Sequence, residues 1–405
     1  MKRWIIVVGL SVLYLGVRLW HFEEAMTFHL DQGLHLLEAK DMVDSGKIRL
    51  IGPMVSSKTF LDRGFFIGPQ YYYVLAVLGI LTSWNALAIT IILLVVEFGA
   101  VLLLIRWIKR KFSFEIAMIV MALVTLSPYL IIHSRFIWNP HFLWPLGTVG
   151  LITAEKAIKN KKWWVVLGIL WGVAFGFHYS AVLWMFWVAI FWWKQKNRKL
   201  TDWLIMGVGV GLGNLPYWLF ELRHSLYNLK TLGWVISNSN GGFRLEPHYV
   251  IYPLLPLFVY LLIEWLKIKP NKVLIIVVGL MLVIGQSLIF RDRLPLGHPP
   301  GWNLLIERLV VNKILDKGCP KNYNVASTVS GDTRAYDLRF LLTARGCPPM
   351  GVTEYPRAEK LFLVAPPTRP PENEEVWEVN SLGKIKVVER LVINDKVVFY
   401  ELEKN

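Results

Sequence analysis

Long apolar runs separated by short basic clusters occupy the first 290 positions of the chain. Runs at about 4–20, 85–105, 114–133, 141–155, 163–177, 179–193, 201–219, 249–266 and 272–290 each predict a helix crossing a bilayer, whose core takes roughly 20 helical residues. The pair at 163–193 is short and reads as a tilted hairpin where the bilayer is thin. The first run, "WIIVVGLSVLYLGVRLW", has no small-residue cleavage site after it and reads as a retained anchor. The stretch "GPQYYYVLAVLGILTSW" (68–84) is also apolar enough to cross, but a full crossing would invert every later loop. It reads as a re-entrant or partial helix; the alternative is a true span whose topology defies the charge rule.

Charge placement fixes the orientation. The chain carries a formal net charge of +15, which in a soluble protein would suggest a nucleic-acid partner. Here 17 of the 44 Lys and Arg residues sit at Lys2, Arg3 and four short connectors: "RWIKRK", "EKAIKNKK", "KQKNRK" and "KIKPNK". Lys and Arg concentrate in short cytoplasmic loops, so the basic excess reads as a topology signal and no nucleic acid is expected. With the N-terminus cytoplasmic and nine crossings, every basic connector lies inside. The first loop (21–68), "HSRFIWNPH", "GFHYS", the segment ending "RLEPH" and the C-terminal part lie outside. A composition of 55% hydrophobic residues and a mean hydropathy of +0.44 agree with a membrane protein.

The periodicity changes near residue 292. "RDRLPLGHPPG" reads as a linker. "NLLIERLVVNKILDKG" predicts a helix stopped at Gly318, and "TRAYDLRFLLTARG" one ending at Gly346. "YNVASTV", "KLFLVAP", "EVWEV", "IKVVERLVI" and "KVVFYELE" predict strands. Residues 292–405 are therefore expected to form a small extracytoplasmic α/β domain beside a mainly α, polytopic bundle (1–291) of about 9–10 transmembrane helices. Both cysteines, Cys319 and Cys347, fall in that domain. They suit one disulfide in an oxidising compartment; the other reading is two unrelated buried thiols.

The candidate chemistry concentrates in "MTFHLDQGLHLLEAKDMVDSG". A helix is predicted over 27–45, with Thr27 as N-cap and Gly46 as stop. Leu30, Leu34 and Leu37 form one stripe; Asp31, His35 and Glu38 form another. Lying on the outer surface, it would bury the leucines and present Asp31 to a cavity; the plainer reading is a solvated polar face. Other outer segments add Lys58, Arg63, His133, Arg135, Asn139, His141, His178, Tyr179, Glu221, Arg223 and His224. Such groups at a membrane boundary suit a lipid-linked phosphate. No Cys or His pair has metal-ligand spacing, so no metal or other cofactor is expected; a divalent cation has no support in the sequence.

An acid in the first outer loop, on a helix of the form D-x-x-x-x-x-x-E-A (Asp31 to Ala39), is similar to the GT-C glycosyltransferases. "GPQYYYVLAVLGIL" resembles the Pro-x-x-Tyr-Tyr segment of their dolichyl-phosphate-mannose protein mannosyltransferase-like branch, glycosyltransferase family 39, and "SPYLIIHSRFIWNPHFLWPL" its Ser-Pro…Ser-Arg segment. The resemblance covers about residues 1–225. It implies a GT-C-like fold and transfer of one sugar from a polyprenyl-phosphate donor to a lipid, glycan or protein acceptor at the outer face. It implies Asp31 as general base. Arg135, which falls inside the matched segment, Lys58, Arg63 and Arg223 are candidates for the donor phosphate. His35, His133, His178 and His224 would line the pocket. Many relatives carry two adjacent acids where this chain has Asp31-Gln32. Either one carboxylate suffices, or Glu38 supplies the second, or the activity has been lost.

A lipid-linked-sugar transporter or flippase is the rival. It would show repeats, broken helices or mid-span charges. The clearest mid-span acid is Glu97, with no obvious partner in the sequence. A membrane scaffold displaying the C-terminal domain is the second rival. That domain could hold acceptor through Asp332, Arg334, Asp337 and Arg339, or these could be a solvated helix face. The expected location is a bacterial or archaeal plasma membrane.

Overall fold

The computed structural model describes residues 2–55, 64–238, 247–268, 272–289 and 301–405. Lys58, Arg63 and most of the expected linker lie outside the described residues. Up to residue 289 the described chain is helical apart from loops and a single bridge between Met54 and Phe66: α1 (Lys2–Leu19), α2 (Phe22–Ala25), α3 (Leu30–Ser45), α4 (Gln70–Leu81), α5 (Ala86–Lys111), α6 (Phe114–Leu126), α7 (Pro128–His133), α8 (Leu143–Lys159), α9 (Lys162–Phe177), α10 (Trp184–Trp193), α11 (Leu200–Gly213), α12 (Leu215–Arg223), α13 (Tyr227–Asn238), α14 (Pro247–Ile268) and α15 (Lys272–Ile289). Beyond residue 301 come α16 (Leu304–Leu315), β1 (Tyr323–Ser327), α17 (Tyr336–Ala344), β2 (Lys360–Ala365), α18 (Trp377–Asn380), β3 (Ile385–Val392) and β4 (Val398–Lys404).

Several predicted apolar runs are single helices; others are broken where their chemistry demands it. The run 114–133 stops at Ser127, because Pro128 has no N–H to continue the ladder. Ser127 Oγ then accepts from Leu130 N at 3.3 Å and starts α7. The run 201–219 bends by 79° between α11 and α12, at Asn214 just before Pro216. Among the described residues, α5 and the Pro247–Trp265 part of α14 are long and apolar enough to cross a membrane; α11 and α12 make a third if taken as one bent span. Segment 68–84 holds only α4, whose 12 residues reach about 18 Å.

Small residues bring helices close. A Cβ on Gly168 would stand 2.1 Å from Met206 O, and one on Gly213 would stand 2.2 Å from Ile169 O, so α9 and α11 touch backbone to backbone. Gln70, at the start of α4, fills the space over Gly176 and donates to Gly213 O at 3.1 Å and Asn214 Oδ1 at 2.8 Å. That locks α4 against α9 and α11.

The C-terminal part is a four-stranded sheet in the order β1-β2-β4-β3. β1 and β2 run parallel, and β4 is antiparallel to both of its neighbours. The β1 residues Tyr323–Ser327 are all buried because both faces are covered. Val325, Phe362 and Phe399 pack with α16 and α17. Leu361, Leu363 and Leu402 pack with Tyr355, Val379 and Leu382 on the other side. One expectation fails here. "EVWEV" is a helical turn, α18, not a strand. Glu374 and Glu378 accept from Thr328 Oγ1 (2.7 Å) and Thr333 Oγ1 (2.8 Å), which turns this stretch into a brace for the β1–α17 loop. Cys319 and Cys347 are joined by a disulfide, with Cα atoms 5.6 Å apart.

This part is not an independent appendage. Leu304 N donates to Met26 O at 3.3 Å, Arg308 pairs with Glu23, and Phe28 and Phe340 meet with ring centres 5.8 Å apart. A single hydrophobic core runs through Met26, Phe28 and Leu36 into Leu338 and Leu342.

Candidate functional site

Helix α3 starts at Leu30, later than the sequence suggests, and its N-cap is His29 rather than Thr27. His29 and Gln32 form a reciprocal capping box, with Gln32 Oε1 accepting from His29 N at 3.1 Å. Gln32 also donates to Ile137 O at 3.1 Å, so it ties α3 to the loop after α7. Gly46 ends the helix at φ +65°, as expected. The buried face is Gln32, Gly33, His35, Leu36, Ala39 and Met42, clamped between α4 and α17. The leucine stripe 30/34/37 is only partly buried, because the C-terminal domain sets which face goes inward.

Asp31 lies in the first turn of α3, where the helix dipole favours a negative charge. Burial dominates and pushes its carboxyl above the usual carboxylate range. A hydrogen bond from the Trp138 side chain opposes the shift, and the Asp332 charge adds to it. That donor is an indole N–H, which does not titrate.

Trp138 joins Asp31 to a group of imidazoles. Its ring meets His248 at 4.5 Å and His141 at 5.6 Å between centres. His133 Nδ1 lies 3.2 Å from His141 Nε2, and His141 Nδ1 lies 3.0 Å from Phe136 O. Since a carbonyl only accepts, neutral His141 carries its proton on Nδ1 and accepts from His133. His178 stacks on Tyr249 at 4.5 Å, and His248 meets the same Tyr249 ring edge-on at 4.2 Å. Burial pushes His178 down to about 3, so it is neutral near pH 7. His248 Nε2 is buried without a hydrogen-bond partner. A cavity of about 40 Å³ lined by Glu97, His133, Ser134, Trp138 and His141 opens beside this group. That volume suits water rather than a sugar ring.

Glu97 has partners that the sequence does not reveal. Tyr14 Oη donates to it at 3.1 Å. The Arg18 guanidinium lies over the Tyr14 ring at 3.6 Å and donates to Thr125 O (3.1 Å) and Val124 O (3.0 Å), covering the end of α6.

The remaining candidates have these places. His35 is buried on α3 with its ring edge-on to Tyr71 and Tyr72; burial pushes it down to about 3, and its Nδ1 has no partner. Glu38 pairs with Arg49, which also holds Asp41 at 2.9 Å. Arg135 donates to Arg18 O (2.9 Å), Val17 O (2.6 Å) and Trp20 O (3.3 Å), so it caps the C-terminus of α1. Arg223 and His224 are exposed at the end of α12, His224 stacked on Phe220. Glu221 is buried and accepts from Asn228 N (3.1 Å) and Leu229 N (3.2 Å), capping α13. In the C-terminal domain Arg339 is buried and holds Tyr355 Oη at 2.7 Å and Met350 O at 2.6 Å.

The structure therefore gathers Asp31, His133 and His178 through two residues given no role from sequence, Trp138 and His248. It gives Arg135 and Glu38 partners of their own. Comparison with protein-family models, curated proteins and solved structures yields no match. Among the described residues no group of three or more His, Cys, Asp or Glu side chains is arranged to hold a metal ion.

Proposed function

We propose that the protein is a polytopic membrane glycosyltransferase of GT-C type. It would move a sugar from a polyprenyl-phosphate donor to a lipid, glycan or protein acceptor on the outer face of a plasma membrane. The observation that carries the reading is the setting of Asp31: a partly buried carboxylate in the first turn of α3, raised above its ordinary range by burial and bonded by the Trp138 side chain. That is the environment that makes a carboxylate a better base.

In this reading the acceptor O–H bond breaks and its proton passes to Asp31. The acceptor oxygen bonds to the anomeric carbon of the sugar. The bond from that carbon to phosphate oxygen breaks, and its electron pair leaves with the polyprenyl phosphate. His248, whose ring meets Trp138, has an open Nε2 that can hydrogen-bond a substrate. Arg135 is occupied by α1 carbonyls, which favours Lys58, Arg63 or Arg223 for the donor phosphate.

The Tyr14–Glu97–Arg18 group favours a second reading, a lipid-linked-sugar flippase, since ionisable side chains deep in a helical membrane protein often mark a transport path. Reconstituted vesicles loaded with labelled polyprenyl-phosphate sugar and an acceptor extract separate the two. Label appearing covalently on acceptor supports transfer. Label that only changes leaflet supports the flippase.

A further inference from the structure

A second cavity lies where the α4–α5 turn meets the C-terminal domain. Its volume is about 170 Å³, against about 40 Å³ beside the imidazoles. Thr82, Ser83 and Asn85 of the turn line one part of it. Arg308 and Asn312 of α16, and Arg345 just after α17, line another. None of its lining residues belongs to the group around Asp31.

The turn takes a conformation that side chains disfavour. Ser83 and Trp84 adopt the left-handed region in succession, at φ +51° and +61°, where glycine is the usual choice. Trp84 N donates to Gly79 O at 2.7 Å, and a Cβ on Gly79 would stand 2.4 Å from the Trp84 ring. The missing side chain at Gly79 therefore lets the indole lie on α4. Strain of this kind, held in place by packing, clusters at ligand clamps.

The charge of the cavity is one-sided. Two arginines and no carboxylate line it among the described residues. Arg308 is paired with Glu23. Arg345 is exposed, and its guanidinium has neither a hydrogen bond nor an ion pair. A planar fork of N–H donors with no acceptor of its own matches the oxygens of a phosphate. Ala86 and Leu87, in the first turn of α5, line the same space, where the helix dipole adds to the attraction for an anion.

The depth of the cavity points to a lipid. Helix α5 has 26 residues and ends in Lys109, Arg110 and Lys111 of a basic connector. At 1.5 Å per residue it is about 39 Å long, and a bilayer core is about 30 Å thick. With those cations on the cytoplasmic side, the start of α5 stands at the headgroup level of the outer leaflet. On α4, just before the cavity, Val77, Ile80 and Leu81 share one exposed face, Leu81 at 72%. That face suits acyl chains.

We propose that this cavity holds the headgroup of an anionic phospholipid of the outer leaflet, with its phosphate on Arg345 and Arg308 and its chains along α4. The inference rests on the reading of the chain as a membrane protein and not on sugar transfer. A lipid bound there bridges the α4–α5 turn and the C-terminal domain, and so fastens the domain to the membrane surface. Free inorganic phosphate offers the same oxygens without the chains.

The two cysteines of the chain are joined to each other, so Ser83→Cys adds a single free thiol on the cavity wall with little change in volume. Full-length protein is placed in nanodiscs of phosphatidylcholine or of phosphatidylglycerol, and the rate of modification by uncharged N-ethylmaleimide is measured in each. The rate is expected to be about tenfold lower in phosphatidylglycerol, and Arg345→Gln in the same background is expected to remove most of that protection, since one contact to a charged group is worth about tenfold or more in affinity. Arg369→Gln removes an exposed arginine of the same domain outside the cavity and is expected to leave the protection intact. Slowing by bilayer charge alone would survive Arg345→Gln, so equal protection with and without Arg345 overturns the proposal. Equal rates in the two lipids overturn it as well. Millimolar inorganic phosphate that protects the thiol fully in phosphatidylcholine discs overturns the assignment to lipid. Protein that does not enter the discs overturns the membrane reading and the proposal with it, whereas enclosed protein without lipid-dependent protection overturns the proposal alone.

Discussion

Gly33 lies directly beneath the Tyr336 carbonyl, with no room for a Cβ between them. One contact thus joins α3 to the last quarter of the chain. It decides which face of α3 is buried.

Gly33→Ala should undock the C-terminal domain. The new methyl meets backbone, which cannot swing aside, and overpacking of this kind costs about 1–3 kcal/mol. The thermal midpoint of the intact protein should drop, and limited proteolysis should release the C-terminal domain at lower protease concentration. Gly9→Ala, at a position with nothing within 4 Å, serves as the control and should change neither.

Trp138→Phe removes the indole N–H and keeps most of the ring packing against His248 and His141. The Trp138 hydrogen bond holds Asp31 down, so its loss raises the carboxyl further. A base works when ionised, so the acidic limb of the pH–rate profile should move to higher pH. Losing a bond to a charged acceptor should also lower turnover by about one to two orders of magnitude. An unmoved acidic limb would show that Trp138 does not hold the carboxylate.

A buried acid pair makes the docking surface pH-sensitive. Glu307 on α16 is fully buried with both oxygens unpartnered, and burial plus the Asp337 charge raises it well above the ordinary range. Asp337 is pushed up to about 6, by burial first, against hydrogen bonds from Leu338 N and the Trp302 indole. Both folded-state values lie above the unfolded ones. Their contribution is therefore present below about pH 4 and is lost as pH rises through 6 and beyond. Glu307→Gln keeps the neutral form at every pH. Its thermal midpoint should overtake that of the wild type as pH rises, measured from pH 4.5 to 8.5.

Reducing the Cys319–Cys347 bond opens a loop spanning a sequence separation of 28. Loop-entropy scaling puts the loss at about 3–4 kcal/mol. The C-terminal domain should unfold first in denaturant after reduction. Cys319→Ser should reproduce the effect without reductant.

Much of the fold was legible in the sequence because its signals are local. Apolar runs and glycine stops gave α9, α14 and α16 closely, while α5 runs on to Lys111 through residues given to a basic connector. Breaks at Pro128 and Pro216 were written in the chain, although hydropathy alone smoothed over them. The strand expected at "EVWEV" failed because two glutamates answer to threonines more than forty residues away. The site was less legible for the same reason. Asp31 stood out as an acid beside an apolar run. Trp138 and Asp332, which act on it, come from two other parts of the chain, and no local pattern ties them together. Arg135 looked like a phosphate ligand by position, and only its distances to Val17, Arg18 and Trp20 show that it caps a helix.

The most direct measurement is sugar transfer from a panel of radiolabelled polyprenyl-phosphate sugars to acceptor in membranes carrying wild type or Asp31→Asn. Asparagine keeps the volume and can still accept from the Trp138 indole, but it cannot take a proton. Transfer by the wild type and a fall of about two to four orders of magnitude in the variant is the predicted result. Equal transfer by both proteins would contradict the central claim and remove Asp31 from the chemistry.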